Sequence, residues 1–576
     1  MRANFGTIKV AALFRVTIPF MSDTLTLHPL TQKLLENRGI SDPDAVLRFL
    51  YPDYDRDISD PFLILNMEKA VERILSSMKK NERIVIYGDY DCDGIPGSVV
   101  LHDLFRKIGY LNVINYIPHR HLEGYGLNMG AIEQFAKDGT ALVITVDCGI
   151  TDVLEVARAN ELGMEVIVTD HHLPQEVLPP AFAVINSKQE GDTYPDNMLC
   201  GAGVAWKLAT AILARGKFST VPEGWEKWLL DMAGLSTIAD MVPLQNENRA
   251  IAHFGLKVLR KSARPGLQAL LQEAGVEQRY LTEEDVGFTI APRINAASRM
   301  DIPFRAFELL ASNNIDIANE RARHLASLNS ERKLEVARMM KEAKKMLKER
   351  EIREVIVVGN PQWRVGVVGI IANNIATEFD RPTFAWGRGE HAMLKGSCRS
   401  DGRVNIVELM LAVRDGVFVD RGGHEFSGGF SLTLPAIHTL EDELIAAHGT
   451  IPKKESKPAA YTIDGELKLA EVNEVTFRAI DILAPFGVGN PRPHFLIRDA
   501  EILVCAQFGG GKNHMKIIFK DDHGEEVTAI GFFMTPSDFP GKALRTGGRI
   551  DLVTVMEKSH FRGKEELRLR IIDIKK

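Results

Sequence analysis

The sequence predicts an α/β protein: a parallel-sheet domain joined by a long helix to a second α/β domain, followed by an all-β module. Three observations carry this. Short β-branched runs over residues 81–200 end in carboxylates or histidines. Apolar positions recur every three or four residues through 315–347. Alternating apolar and polar residues set in beyond Pro458.

Length and composition set the bounds. A chain of 576 residues suits three or four domains, and 45% hydrophobic residues suffice for buried cores. A net charge of −7 excludes a protein that coats nucleic acid by bulk charge, so a phosphate-binding groove must be a local basic patch. Cys92, Cys148, Cys200, Cys398 and Cys505 are odd in number, far apart and without CxxC spacing. They read as reduced thiols in a cytoplasmic protein, not as a disulfide framework or a zinc site. No run of roughly 18 apolar residues marks a membrane span. Residues 1–24 form a lead that carries Arg2, Lys9 and Arg15 and no acid before Asp23. Its apolar stretch 10–14 is short and no small-x-small cleavage site follows. An extra strand or a disordered lead is therefore favoured over a signal peptide, with Met21 as a second candidate start.

Residues 22–80 read as polar helices broken at Ser41-Asp42-Pro43 and Tyr51-Pro52-Asp53. From 81 to 200, strand and helix patterns alternate as in a doubly wound sheet. Residues 83–87 (RIVIY) run into Gly88-Asp89-Tyr90-Asp91-Cys92-Asp93-Gly94, 141–146 (ALVITV) into Asp147, 165–169 (EVIVT) into Asp170-His171-His172, and 235–239 (LSTIA) into Asp240. In open α/β sheets ligands sit beyond the carboxyl ends of the strands, so these groups should meet at one rim. Crowded carboxylates repel one another, a pair of divalent cations is the natural counter-charge, and two-metal sites suit phosphodiester hydrolysis.

Asp89, Asp91 and Asp93 alternate along a segment read as extended, which would place all three on one face. A calcium-type loop or a plain turn is the alternative. An EF-hand is disfavoured by strand-like flanks and the lack of Glu at its twelfth position. Of the paired histidines, one can ligate metal while its neighbour, held by a carboxylate, faces substrate. Mixed His and Asp ligation tends towards Mn2+ or another transition metal over Mg2+. Cys92 and Cys148 lie inside these motifs, and small core filling is favoured over thiolate ligation.

Residues 201–300 read mostly as helices. Residues 315–347 hold no Gly or Pro and form one amphipathic connector, or a two-helix hairpin broken near Asn329-Ser330. Residues 354–358 (EVIVV) restart an α/β pattern that ends near Gly449, and 452–458 (PKKESKP) is a charged linker. Runs at 515–519, 527–532 and 567–571 surround turn signals such as 521–524, and 509–512 and 561–564 supply cationic loops.

The four motifs GDYDCDG, VDCG, TDHH and STIADMVPL resemble, in order, those of the DHH phosphoesterase superfamily. Pro118-His119-Arg120 leading to Glu123-Gly124-Tyr125-Gly126-Leu127, residues 291–300 (APRINAASRM), and Pro485-Phe486-Gly487 with Gly489-Asn490-Pro491 resemble its bacterial RecJ family. Trp363 with Gly366-Val367-Val368-Gly369, then Lys395-Gly396-Ser397-Cys398-Arg399 and Gly422-Gly423-His424, resemble the DHHA1 domain. The loops depart from the pattern at Ile95-Pro96-Gly97-Ser98 and Glu425-Phe426-Ser427, and neither departure removes a ligand.

The resemblance implies a DHH catalytic domain over 25–312, a connecting helix over 313–350, a DHHA1 domain over 351–450, a linker over 451–460 and an OB fold over 461–576. It implies Asp91, Asp93, Asp147, His171 and Asp240 as ligands of two divalent cations, Mn2+ or Mg2+, with Asp147 shared by both. His172 matches a phosphate-contacting histidine, and Asp89 and Asp170 match supporting carboxylates. Arg120, Ser397 and Arg399 match positions that hold a 5′ phosphate, and Arg293, Arg299 and His424 match positions that line a DNA path. The implied activity is 5′→3′ hydrolysis of single-stranded DNA in repair and recombination, by a cytoplasmic monomer with a single-strand-binding protein and a RecQ-type helicase as partners. Two rivals stand beside it. One is a hydrolase of pyrophosphate, cyclic dinucleotides or short oligonucleotides, for which the β module is superfluous. The other is a non-catalytic replication scaffold on the same fold, against which the intact acids argue.

Overall fold

The computed structural model describes residues 15–17, 24–389, 393–454, 461–542, 544–560 and 565–575. Most of the N-terminal lead, most of the 452–458 linker and the 561–564 loop lie outside the described residues. Within the lead, Arg15–Thr17 pairs antiparallel with Thr24–Thr26.

The first unit is built on strands β1 (Arg83–Gly88), β2 (Val113–Tyr116), β3 (Thr140–Val146), β4 (Glu165–Thr169) and β5 (Ala183–Ile185). Their order is β2-β1-β3-β4-β5 and every pairing is parallel. Both faces are covered, which is why the strands read as continuous apolar runs. Ile84, Ile86, Leu142, Ile144 and Ile167 enter one core, and Val85, Tyr87, Val143, Val166 and Val168 enter another on the opposite face. Helices α1 (Gly94–Ile108), α2 (Gly201–Gly216) and α3 (Leu230–Ala239) pack over the first face, and α4 (Ala291–Met300) follows.

Two local expectations change. Residues 235–239 close a helix and not a strand, so Asp240 is the C-cap of α3. Leu229, Leu230, Met232, Ala233 and Leu235 are all buried, and a helix apolar on every side cannot be told from a strand by a five-residue window. Asp89, Asp91 and Asp93 are not on one extended face either. The strand stops at Gly88 and the chain turns, with Asp91 Oδ1 accepting the N–H of Asp93 at 2.8 Å and of Gly94 at 3.2 Å to launch α1.

Helix α5 (Ile315–Lys348) runs 34 residues without a break. Its first half buries Ala318, Ala322 and Leu325 in the first unit, and its second half buries Met339, Ala343 and Leu347 in the next. That unit holds β6 (Ile356–Gly359), helix α6 (Val365–Phe379), β7 (Thr383–Arg388), β8 (Leu394–Arg399), β9 (Asp420–His424) and β10 (Ser427–Leu432). Its sheet order is β9-β10-β8-β7-β6.

The C-terminal unit is a closed barrel with an OB fold. Its long strand Phe495–Phe508 pairs with both His514–Lys520 and Arg549–Ser559, and Glu526–Gly531 pairs with Glu566–Ile574 to complete the circuit. Leu34, Leu35, Val46, Phe49 and Leu50 of the N-terminal helices Pro29–Asn37 and Pro43–Leu50 share the barrel's core. Buried Arg249 ties this assembly to the first unit. Its guanidinium stacks 3.7 Å over the Phe49 ring and donates to the carbonyls of Phe49, Leu483, Ala484 and Pro485.

Candidate metal centre

Strand ends, a helix start and a helix end bring the acids and histidines together. Asp89 follows β1, Asp147 follows β3, Asp170-His171-His172 follow β4, Asp93 caps α1 and Asp240 closes α3. Both oxygens of Asp93 accept N–H groups at the start of α2, from Gly201 at 2.6 Å and Ala202 at 2.8 Å. This fixes α2 against Asp147 so closely that a Cβ at Gly201 would stand 2.5 Å from the Asp147 Cβ. Asp147 itself sits at φ 63°, left-handed backbone that a non-glycine residue adopts at a cost.

His171 Nε2 lies among three carboxylates, 3.2 Å from Asp147, 3.6 Å from Asp93 and 3.8 Å from Asp240. Donor atoms fall into three groups of mutual metal-binding reach: Asp89, Asp91 and Asp147; Asp93, His171 and Asp240; Asp147, His171 and His172. Asp147 belongs to two of them.

The electrostatics call for a cation. Burial, then the Asp91 charge, raises the Asp89 carboxyl well above its usual range, and burial, then Asp93 and Asp91, does the same to Asp147. The same causes lift Asp93 to about 6 and Asp240 to about 9. Burial, then the neighbouring His172, holds His171 down at about 3, so this imidazole is neutral and cannot offset the acids. Among the described residues Asp89 Oδ1, Asp147 Oδ1 and His171 Nδ1 are buried without a hydrogen-bond partner. Oxygen and imidazole donors in this density, with orphaned lone pairs, fit divalent cations.

Asp170 is fully buried and plays a different part. Burial pushes its carboxyl up, but the His172 hydrogen bond and charge outweigh that and keep it below its ordinary value. Asp170 Oδ1 accepts from the His172 ring Nδ1 at 2.8 Å and from the N–H of His171 at 2.7 Å, and Oδ2 accepts from Ile150 at 3.0 Å. Burial lowers the His172 imidazole, but the Asp170 bond wins and raises it.

A second cluster of opposite charge stands beside the acids. Arg120 stacks 4.8 Å over the Tyr90 ring. Arg399 Nη1 donates to Ser397 Oγ at 2.9 Å and the Cys398 carbonyl at 2.8 Å. Arg299 donates to the Gly366 carbonyl at 3.3 Å, and burial, followed by Arg120, Arg332 and Arg399, drags it down to about 9. Four guanidiniums that repel one another mark a place built for an anion. His424 joins the clusters, since burial, then His172 and Arg399, lowers its imidazole. Arg293 is set apart from this core. It donates to the Thr289 carbonyl, and its neighbouring cation is Lys333 on α5.

Sequence reasoning missed Tyr125, Asn295 and Arg332. Tyr125 donates to the Asp147 carbonyl at 3.0 Å and touches His172 Nδ1 at 3.0 Å, and its flanking Gly124 and Gly126, both at φ 86°, were the available signal. Asn295 accepts the Cys92 N–H at 2.8 Å from within the 291–300 motif. Arg332 lies on α5 with its Nε buried and unpartnered, and nothing in the helix pattern singles it out.

A parallel sheet that gathers acids and histidines at its carboxyl rim, a second α/β unit and an OB barrel define a multidomain member of the DHH phosphoesterases. The DHH family N-terminal domain matches residues 83–236, the DHHA1 domain 352–449 and the RecJ OB domain 463–573. The chain belongs to the RecJ family. It is 35% identical to the single-stranded-DNA-specific exonuclease RecJ of Bacillus subtilis, over 96% of this chain and 69% of that protein. It is 31% identical to the exonuclease of that name from Haemophilus influenzae, over 96% and 97%. The crystal structure of Thermus thermophilus RecJ with Mn2+ superposes with a TM-score of 0.77 at 26% identity, covering 96% of this chain and 76% of that one. A manganese-bound exonuclease RecJ gives 0.60 at 32% identity, covering 68% and 96%.

Proposed function

We propose that this protein is a single-strand-specific DNA exonuclease that works from the 5′ end with two divalent cations, Mn2+ or Mg2+, and acts in DNA repair and recombination. The observation that carries this reading is the juxtaposition of two unlike clusters, the acids around Asp147 and the guanidiniums of Arg120, Arg299 and Arg399, with His172 and His424 between them. A strand held by its terminal phosphate at the arginines would place its next phosphodiester at the acids.

Asp91, Asp93, Asp147, His171 and Asp240 would hold the cations, with Asp147 shared and Asp89 in reach of the same donor group. When bound, the cations supply Lewis-acid polarisation and an acidified water. The residues do the rest. Asp170 holds His172 by Nδ1, which leaves Nε2 to donate to a phosphate oxygen as negative charge builds. Tyr125 fixes both His172 and the left-handed Asp147 turn. Arg120, Ser397 and Arg399 take the 5′ phosphate, and Arg293, Arg299 and His424 line the strand's path. The proton lost by the attacking water ends on the leaving 3′ oxygen, and the product is a 5′-mononucleotide.

Among the described residues no helix is long and apolar enough to cross a membrane. We place the enzyme in the cytoplasm as a monomer, with a single-strand-binding protein and a RecQ-type helicase as partners. The test is a nuclease assay on end-labelled single strands and duplexes with Mn2+ or Mg2+. Mononucleotides released from the 5′ end of single strands support the reading, and release from the 3′ end or equal attack on duplex contradicts it.

A further inference from the structure

A cavity of about 470 Å³ opens between the first and second units, lined by His119, His121, Arg299, Arg364, Arg388 and Lys395. Among the described residues Asp301 is its one lining carboxylate, and it is held by His324 at 2.7 Å. The start of α6 also reaches it through Val365 and Gly366, and Arg364, at the N-cap of that helix, makes no side-chain cap. Cations gathered around one space favour an anion.

The position of this cavity gives it meaning. On β8, Lys395, Ser397 and Arg399 alternate with Leu394, Gly396 and Cys398, so the three polar residues share one face. Arg399 is level with Ser427, which is level with His424 on β9, and His424 in turn senses His172. The order along the strand is therefore metal centre, Arg399, Ser397, Lys395, cavity. At about 3.3 Å per residue, Lys395 stands roughly 7 Å from Ser397, on the side opposite Arg399. A strand whose 5′ phosphate sits at Ser397 and Arg399 has its chain running towards the acids. The cavity lies beyond its end.

We propose that this cavity is an anion subsite for the extra phosphates of a 5′-triphosphorylated strand, with Arg388 and Lys395 as its specificity residues. The inference rests on the exonuclease reading above. The reaction is unchanged: water adds to the phosphorus between the first two nucleotides, the 3′ oxygen of the first leaves with the proton, and the product is a nucleoside 5′-triphosphate. Among the described residues neither Arg388 nor Lys395 forms an ion pair, and Lys395 Nζ donates only to the His121 carbonyl, at 3.3 Å. An enzyme closed at the terminal phosphate would have no use for cations there.

The test uses the full-length protein and 3′-labelled single strands of one sequence bearing a 5′-triphosphate, 5′-monophosphate or 5′-hydroxyl. Binding is read by anisotropy with Ca2+ and product by chromatography with Mn2+. Wild type should bind the triphosphate end at least as tightly as the monophosphate end and release the triphosphate nucleotide. The double variant Arg388→Ala, Lys395→Ala should lose about tenfold or more on the triphosphate end alone, the scale of two charge-assisted contacts. Weaker wild-type binding of the triphosphate than of the monophosphate end, or equal losses on both ends, overturns the subsite. Inorganic tripolyphosphate serves as competitor. Displacement of the triphosphate strand but not the hydroxyl strand supports a strand-end site, and binding of tripolyphosphate to the double variant as to wild type overturns it. Failure to degrade the monophosphate strand would instead strike the exonuclease reading.

Discussion

Asp147 Oδ1 and His171 Nε2 stand 3.2 Å apart, yet the oxygen is buried and, among the described residues, accepts no hydrogen bond. Burial keeps the imidazole neutral and holds the Asp147 carboxyl well above its usual range, so the pair lacks the charges that would make it an ion pair. The fold holds this arrangement through Asp93 on the start of α2, through Gly201 beneath Asp147, and through Asp170 behind the histidines.

Asp147→Asn should remove one buried carboxyl from the cluster while keeping a residue type that tolerates the left-handed φ of 63°. Metal-free stability at neutral pH is expected to rise, because a buried carboxyl with a raised pKa costs the fold there and a neutral amide does not. Hydrolysis should fall by well over ~100-fold, since even partners outside a ligand set cost ~10–100-fold. Thermal scans with and without Mn2+, beside a nuclease assay, check both signs. An unchanged Mn2+-dependent rise in Tm would remove Asp147 from the ligands.

Metal affinity should climb with pH. Asp93 and Asp240 are raised to about 6 and about 9, so at neutral pH the metal-free cluster carries protons that a cation must displace. A raised carboxyl favours the fold below its unfolded value of ~4 and loses that contribution as pH passes the folded value. The metal-free protein should therefore weaken from about pH 4 upward, and the Mn2+-induced gain in Tm should grow between about pH 6 and 8. Calorimetry in buffers of different ionisation enthalpy should register protons released on binding. A pH-independent gain would contradict the cluster's electrostatics.

Asp170→Asn leaves an oxygen to accept the His171 N–H, gives up the acceptor of the Ile150 N–H, and takes away the charge that raises His172. Activity should drop by ~10–100-fold with Mn2+ binding little changed. Proton resonances of the imidazole would follow the fall in its pKa.

Arg120→Ala and Arg399→Ala should each weaken capture of a 5′-phosphorylated end by roughly 1.5–3 kcal/mol, the worth of a lost charge-assisted contact. Strands with a 5′-hydroxyl should suffer less. If both variants keep the wild-type ratio between the two ends, the terminal phosphate is held elsewhere.

The barrel carries a cluster of aromatic rings: Phe508, Phe532 and Phe533 around His514, with Phe533 79% exposed. It adjoins the cationic loop at 509–512. Phe533→Ala should cost about 1–3 kcal/mol in binding of long strands, with no effect on strands too short to reach the barrel. Isotherms against strand length would show it. This substitution is a cleaner probe than truncation after Lys454, which would strip the N-terminal helices of the core they share with the barrel and Arg249 of its carbonyl partners.

The parallel sheet, the unbroken α5 and the alternating strands of the barrel were legible because each has a period that survives in a single sequence. The acids at strand ends were legible for the same reason. Asp240 was found, but on the wrong element, since an all-apolar helix has no period to read. Arg332 and Phe533 were invisible because their importance comes from neighbours on other elements, Arg299 for the first and His514 for the second. The union of the N-terminal helices with the barrel is equally non-local, resting on contacts such as Thr31 Oγ1 to the Ala479 carbonyl at 2.7 Å.

The central claim is that the acid cluster and the arginine cluster together process a strand from its 5′ terminus. The most direct measurement is product analysis of a 5′-phosphorylated single strand labelled at its 3′ end, digested with Mn2+ by wild type and by Asp147→Asn. The expected result is stepwise release of 5′-mononucleotides by wild type, with the label retained until last, and none by the variant. Early loss of the 3′ label, internal fragments, or full activity of the variant would contradict it.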